Sequence, residues 1–101
     1  MPRRSRLNPA SDRQTSYIVL HWATGITKAL LNSEEYDGYE PDEVLQIGFA
    51  MANAMAEKQG LRVPGTNELT PEGKKREREM LKYRPAEQIE AAYNALTTAI
   101  H

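Results

Sequence analysis

The chain has no cysteine among its 101 residues. That excludes disulfide bridges and thiolate metal sites, and it agrees with a reducing compartment. Aromatic residues are scarce at 7%, with one Trp and one Phe. A core must therefore be assembled mainly from Leu, Ile, Val, Met and Ala. No apolar run approaches the roughly 18 residues that a membrane-spanning helix needs. A net charge of −1 provides no global basic field for nucleic acid. The first ten residues, MPRRSRLNPA, are basic, but no apolar segment follows them, so they do not read as a secretory signal. The setting expected is cytoplasmic, with no membrane contact.

Catalytic signatures are missing too. There is no phosphate-binding glycine loop, dinucleotide fingerprint, HExxH motif or nucleophile elbow. His21 is the only histidine inside the chain, since the other is His101. Positions 17, 18, 24 and 25 are Tyr, Ile, Thr and Gly, so His21 lacks a second metal ligand one turn away. No paired carboxylates fall on a clearly buried face. A protein that is not an enzyme, with no cofactor and no metal, is the expectation.

What is present is a helical pattern. Residues 41–60, PDEVLQIGFAMANAMAEKQG, are apolar on so many sides that several neighbours are expected to cover them. Pro41 suits the first helical position, Asp42 and Glu43 suit the positive end, and Gly60 suits a left-handed stop. Gly48, Ala52 and Ala56 recur every four residues, a small-residue ridge that permits close helix packing. Upstream, residues 11–14 (SDRQ) fit a capping box. Val19, Trp22, Ala23, Ile26 and Leu30 then mark one face of a helix running from about 12 to 32. Gly25 lies inside it, and close approach of another backbone is its expected compensation.

Downstream, Pro64-Gly65 predicts a tight turn inside a connection held by Leu61, Val63 and Leu69. Its length does not fit a DNA-reading helix-turn-helix. Thr70-Pro71-Glu72 opens a polar helix over about 71–83, anchored by Met80, Leu81 and Tyr83. Pro85 forces a break after Arg84. A last helix over about 86–100 carries the stripe Ile89, Ala92, Tyr93, Leu96 and Ile100. The predicted fold is all-α: a compact bundle of three main helices (about 12–32, 41–59, 86–100) plus the shorter polar helix. Residues 1–10 read as a flexible basic arm and residues 11–101 as one helical domain.

The small net charge conceals a segregation into basic, acidic and basic stretches. Glu34, Glu35, Tyr36, Asp37 and Tyr39 lie in an acidic loop that would suit a protein partner. Tyrosines give contact area and the acids steer a basic surface. The loop is not an EF-hand, because Val44 stands where the bidentate glutamate belongs. Arg3, Arg4 and Arg6 in the arm, with Lys74, Lys75, Arg76, Arg78, Lys82 and Arg84 in the polar helix, would suit a nucleic-acid backbone. Solvated loops and helices carry such charges without any partner, and that plainer reading applies to each stretch. Three functions remain in order. The first is a non-catalytic small subunit or adaptor working through protein contact, including contact with itself. The second is a small subunit of a nucleoprotein complex. The third is an inhibitor that places its acidic loop in a basic groove.

Overall fold

The computed structural model describes residues 15–100, which form an all-α fold with four α-helices. They are α1 (Tyr17–Leu31), α2 (Pro41–Lys58), α3 (Pro71–Tyr83) and α4 (Ala86–Ile100). A single 3-10 turn, Glu34–Tyr36, stands within the acidic connection. None of these helices is long and apolar enough to cross a membrane. The arm and the SDRQ capping box lie outside the described residues.

Within the described residues α1 starts later than the spacing predicts, at Tyr17. Ser16 is its N-cap, and its hydroxyl accepts the Val19 amide at 3.4 Å. The next free amides find a distant acceptor. Glu77 of α3 accepts from the Tyr17 amide at 2.7 Å and from the Ile18 amide at 3.3 Å. A carboxylate at a helix start satisfies unpaired donors and meets the positive end of the dipole. Tyr17 also donates its hydroxyl to Glu90 of α4 at 2.7 Å. The beginning of α1 is thus tied to both C-terminal helices.

This makes α1 the organising helix of the described residues. Among the described residues the most extensive interhelical packing involves α1. Ile18, Val19, Leu20, Ala23, Thr24 and Thr27 are all buried. They point to two sides: Val19 and Ala23 join a cluster with Ala52, Ala56 and Leu61, while Leu20 joins Ile89 and Tyr93.

α2 buries one line only: Val44, Gly48, Ala52 and Ala56. The small-residue ridge is therefore the contact face, as its spacing predicts. The expectation that neighbours cover α2 on several sides holds on two sides only. Its small residues draw α1 close along this ridge, Leu45 and Phe49 beside it pack toward Ile89 and Tyr93 of α4, and the far apolar flank stays open. The close approach is measurable at Gly48. A Cβ there would lie 2.0 Å from Thr27 Oγ1 and 3.2 Å from the Ala23 carbonyl oxygen. Thr27 is fully buried and its Oγ1 has no hydrogen-bond partner among the described residues. Thr24 instead donates to the Leu20 carbonyl at 2.8 Å.

Gly25, by contrast, is not a packing glycine. It is exposed, and a Cβ added to it would meet nothing within 4 Å. Gly48 takes the role expected of it, because residue 25 falls on the outer face of α1. Glycine costs helix interiors backbone entropy without compensation here. Gly25→Ala should stabilise the fold by about 0.5–1 kcal/mol, read as a higher urea midpoint at unchanged slope.

α2 ends in a Schellman arrangement. The Leu61 amide donates to the Ala56 carbonyl at 2.9 Å, the Gly60 amide donates to that of Glu57 at 3.0 Å, and Gly60 has φ of 75°. Next comes a short hairpin-like connection. Arg62 bridges to Leu69, and the Thr66 amide donates to the Val63 carbonyl at 3.1 Å around Pro64-Gly65, with Gly65 at φ 77°. Proline followed by a positive-φ glycine is the type II pattern. Leu61 and Leu69 pack into the core, but Val63 stays exposed because the turn carries it outward.

Thr70 closes the connection. Its hydroxyl donates to the Gly60 carbonyl at 2.7 Å and accepts the Gly73 amide at 3.0 Å. The start of α3 is thereby fastened to the end of α2. Met80 and Leu81 anchor α3 as expected, whereas Tyr83 is 84% exposed. Arg84 takes extended angles before Pro85 and leads the chain away, so nothing covers the Tyr83 ring. α4 then buries Ile89, Tyr93 and Leu96. The Tyr93 ring meets Phe49 of α2 edge to face, with centroids 6.0 Å apart.

Candidate interaction surfaces

Three surfaces hold side chains that the packing does not consume. The first lies on α2, whose excess of apolar residues suits partner or self contact, although the sequence did not single out which of them stay open. On a helix the ridge Val44–Gly48–Ala52–Ala56 has two flanks. On one flank Leu45 and Phe49 are half-buried and pack near Ile89 and Tyr93. On the other flank stand Ile47, Met51 and Met55. Met51 is 41% and Met55 40% exposed, and Ala50 and Ala54 beside them are exposed as well. α4 lies against the opposite flank, so this one faces outward. The signal was present as an excess of apolar residues on α2, but spacing alone did not tell which flank is covered and which stays open.

The second surface is the basic face of α3. Gly73 is buried, and Glu77, Met80 and Leu81 are half-buried, which fixes the inner side. At about 100° per residue, Lys74, Arg78, Lys82 and Lys75 fall within one outward arc of about 100°. All four are exposed. Arg76 is exposed on another flank, and Arg84 lies beyond the helix end. The glutamates that dilute this charge in sequence are displaced from the arc. Glu77 is turned in to the start of α1, and Glu72 and Glu79 fall beside it. Arg3, Arg4 and Arg6 lie outside the described residues, so their relation to this arc is not part of the surface.

The third is the acidic connection. Ser33 Oγ accepts the Glu35 amide at 3.2 Å and starts the 3-10 turn. Glu34, Glu35 and Asp37 are exposed. The Tyr36 and Tyr39 rings lie 5.0 Å apart at 58°, with Tyr36 half-buried and Tyr39 exposed. The expected loop is thus partly ordered into a turn whose two tyrosines support each other. It leads into α2, where Glu43 accepts the Glu40 amide at 3.0 Å.

His21 has its pKa lowered from the ordinary 6.5, first by burial and then by the positive charge of Arg84. A lowered folded value means that the neutral ring favours the fold. That contribution is present above 6.5 and is lost as pH falls through the folded value. Stability should therefore decrease on acidification, and His21→Gln should remove that part of the decrease. Urea midpoints at about pH 7.5 and about pH 5.5 for both proteins measure it.

Among the described residues no group of three or more His, Asp or Glu side chains is placed to hold a metal ion. Comparison with protein-family models, curated proteins and solved structures finds no match to this chain.

Proposed function

We propose that this chain is a non-catalytic helical subunit or adaptor that works through protein contact, with the open flank of α2 as its docking face. One observation carries the reading. Ile47, Met51 and Met55 form a continuous stripe along a well-packed helix, yet Met51 and Met55 are each about two-fifths exposed. Contiguous apolar stripes left open on a folded surface are typical of faces that meet another macromolecule. Methionine adds adaptable contact, since its unbranched side chain conforms to irregular surfaces. The acidic turn at the N-terminal end of α2 would steer a partner with a basic rim.

A photo-crosslinking amino acid placed at Met51, in the cells that make the protein, tests this. Covalent adducts to protein, absent when the same probe replaces exposed Ala99, support it. If Met51 gives no adduct above that control, the reading fails.

A second reading has its own observation: the uninterrupted arc of Lys74, Lys75, Arg78 and Lys82. A helix with four cations on one side suits a phosphate backbone without base reading. In that case RNA or DNA binding falls steeply with salt, and Lys74→Glu with Lys75→Glu weakens it alike for all sequences. Salt-independent or absent binding removes this reading.

A further inference from the structure

The open flank of α2 is self-complementary, and we infer that it pairs with the same flank of a second copy, the two helices running antiparallel. The inference rests on the protein-contact reading and names its partner. Glu43, Ile47, Ala50, Met51, Ala54 and Lys58 share one stripe of α2, within about 100° of arc. All are exposed except Ile47, which is half-buried. The stripe therefore has an acid at one end, a base at the other and only apolar residues between.

That order decides the geometry. In an antiparallel pair centred between residues 50 and 51, position 43 comes level with position 58 of the other copy, and 47 comes level with 54. Each Glu43 then meets a Lys58, at both ends of the contact. Ile47 lies against the small Ala54, and the Met51 side chains fill the centre beside Ala50. A large residue facing a small one at each level lets the helices approach closely. The helix dipoles oppose, which favours this arrangement over a parallel one. A parallel pair would set Glu43 against Glu43 and Lys58 against Lys58. Closed two-fold pairing also uses the patch once per copy and stops at two.

Glu43 has the freedom for this role. One of its oxygens accepts the Glu40 amide, and a carboxylate has further lone pairs for a lysine. One helix flank per copy is a small interface beside the roughly 1,200–2,000 Å² of standard complexes. The dimer should accordingly exchange with monomer as concentration changes.

Sedimentation equilibrium over a concentration series provides the test. The chain as it stands should dimerise with a dissociation constant below about 1 mM. Lys58→Glu should weaken the dimer by roughly tenfold, since both ends then repel. The double variant Glu43→Lys, Lys58→Glu should recover association, because the order of charges is merely inverted. Circular dichroism checks that each variant keeps its helix. Should the double variant lose helix through its missing cap, Met51→Cys decides instead. The chain carries no other thiol, so oxidation should give a covalent dimer faster than with Ala99→Cys, a site outside the flank.

A monomer up to about 1 mM overturns the inference. So does a dimer indifferent to Lys58→Glu, or a folded double variant that fails to recover. If the chain is monomeric while the Met51 probe still captures a different protein, self-pairing falls and the protein-contact reading stands. If the chain is monomeric and Met51 captures nothing, both fall.

Discussion

Gly73→Ala is expected to destabilise the fold by about 3 kcal/mol, with a fall in melting temperature of roughly 12–24 °C. A Cβ at this position would lie 1.9 Å from the Leu61 carbonyl oxygen and 2.8 Å from its carbon. The obstacle is backbone, so no side-chain rotation relieves it. Nor is Leu61 free to retreat. Its carbonyl accepts the Thr70 amide at 2.9 Å, its own amide closes the end of α2, and its side chain is buried. Moving it breaks the join between α2 and α3 at several points together. Gly25→Ala makes the same chemical change on an open face and serves as the control with opposite sign. Thermal unfolding of the two variants side by side should separate them clearly. Similar midpoints would mean that α3 does not rest on the end of α2 in this way.

Leu20→Ala should cost about 3–5 kcal/mol. Leu20 is completely buried and sits where α1 meets the C-terminal helices. Ile89 and Tyr93 pack with it, and Phe49, Met80 and Leu81 close the cluster. Truncation removes the transfer energy of three heavy atoms and leaves a cavity that several separate elements would have to close. Their shared anchors, Glu77 and Glu90 at the start of α1, hold α3 and α4 in place and limit that collapse. Small domains have only about 5–15 kcal/mol of total stability, so this variant stands near the edge of folding. Equilibrium urea unfolding measures the effect. A loss under about 1.5 kcal/mol would show that the site relaxes freely, against the rigid picture.

The sequence made the helices legible because their punctuation is local. Thr70 with Pro71, Pro41 with its acids, Gly60 and Pro85 each act within a few residues, and α2, α3 and α4 occur where they indicate. It also revealed the ridge of Gly48, Ala52 and Ala56, since spacing alone puts those residues on one line. It did not reveal which glycine is pressed. Gly25, Gly48 and Gly73 are all helical glycines, and only the neighbour supplied by the fold distinguishes them. The start of α1 failed for the same reason, because its decisive acceptor, Glu77, lies 60 residues away.

The surfaces divide along the same boundary. The basic residues of α3 were visible as a cluster, but their freedom from the glutamates depended on Glu77 turning inward. The Met51 and Met55 flank was visible only as excess hydrophobicity, and which part of that excess stays open depends on where the covering helices lie. Tyr83 errs in the other direction: a large ring looks like an anchor until the chain turns away at Pro85.

The bond between Glu77 and the start of α1 has a consequence during translation. Ribosomes release a chain N-terminus first, and α1 emerges long before the carboxylate that completes its first turn. At about 5–20 residues per second, the intervening 60 residues occupy roughly 3–12 seconds. Once α2 has emerged, α1 and α2 can pair along the small-residue ridge, but until Glu77 follows, the amides of Tyr17 and Ile18 have only water. A hairpin of α1 and α2 alone would lack the Glu77 acceptor at its leading edge and the Ile89 and Tyr93 side chains that cover Leu20. The join of α1 is complete only when α3 brings Glu77 and α4 brings Ile89, Glu90 and Tyr93 to it.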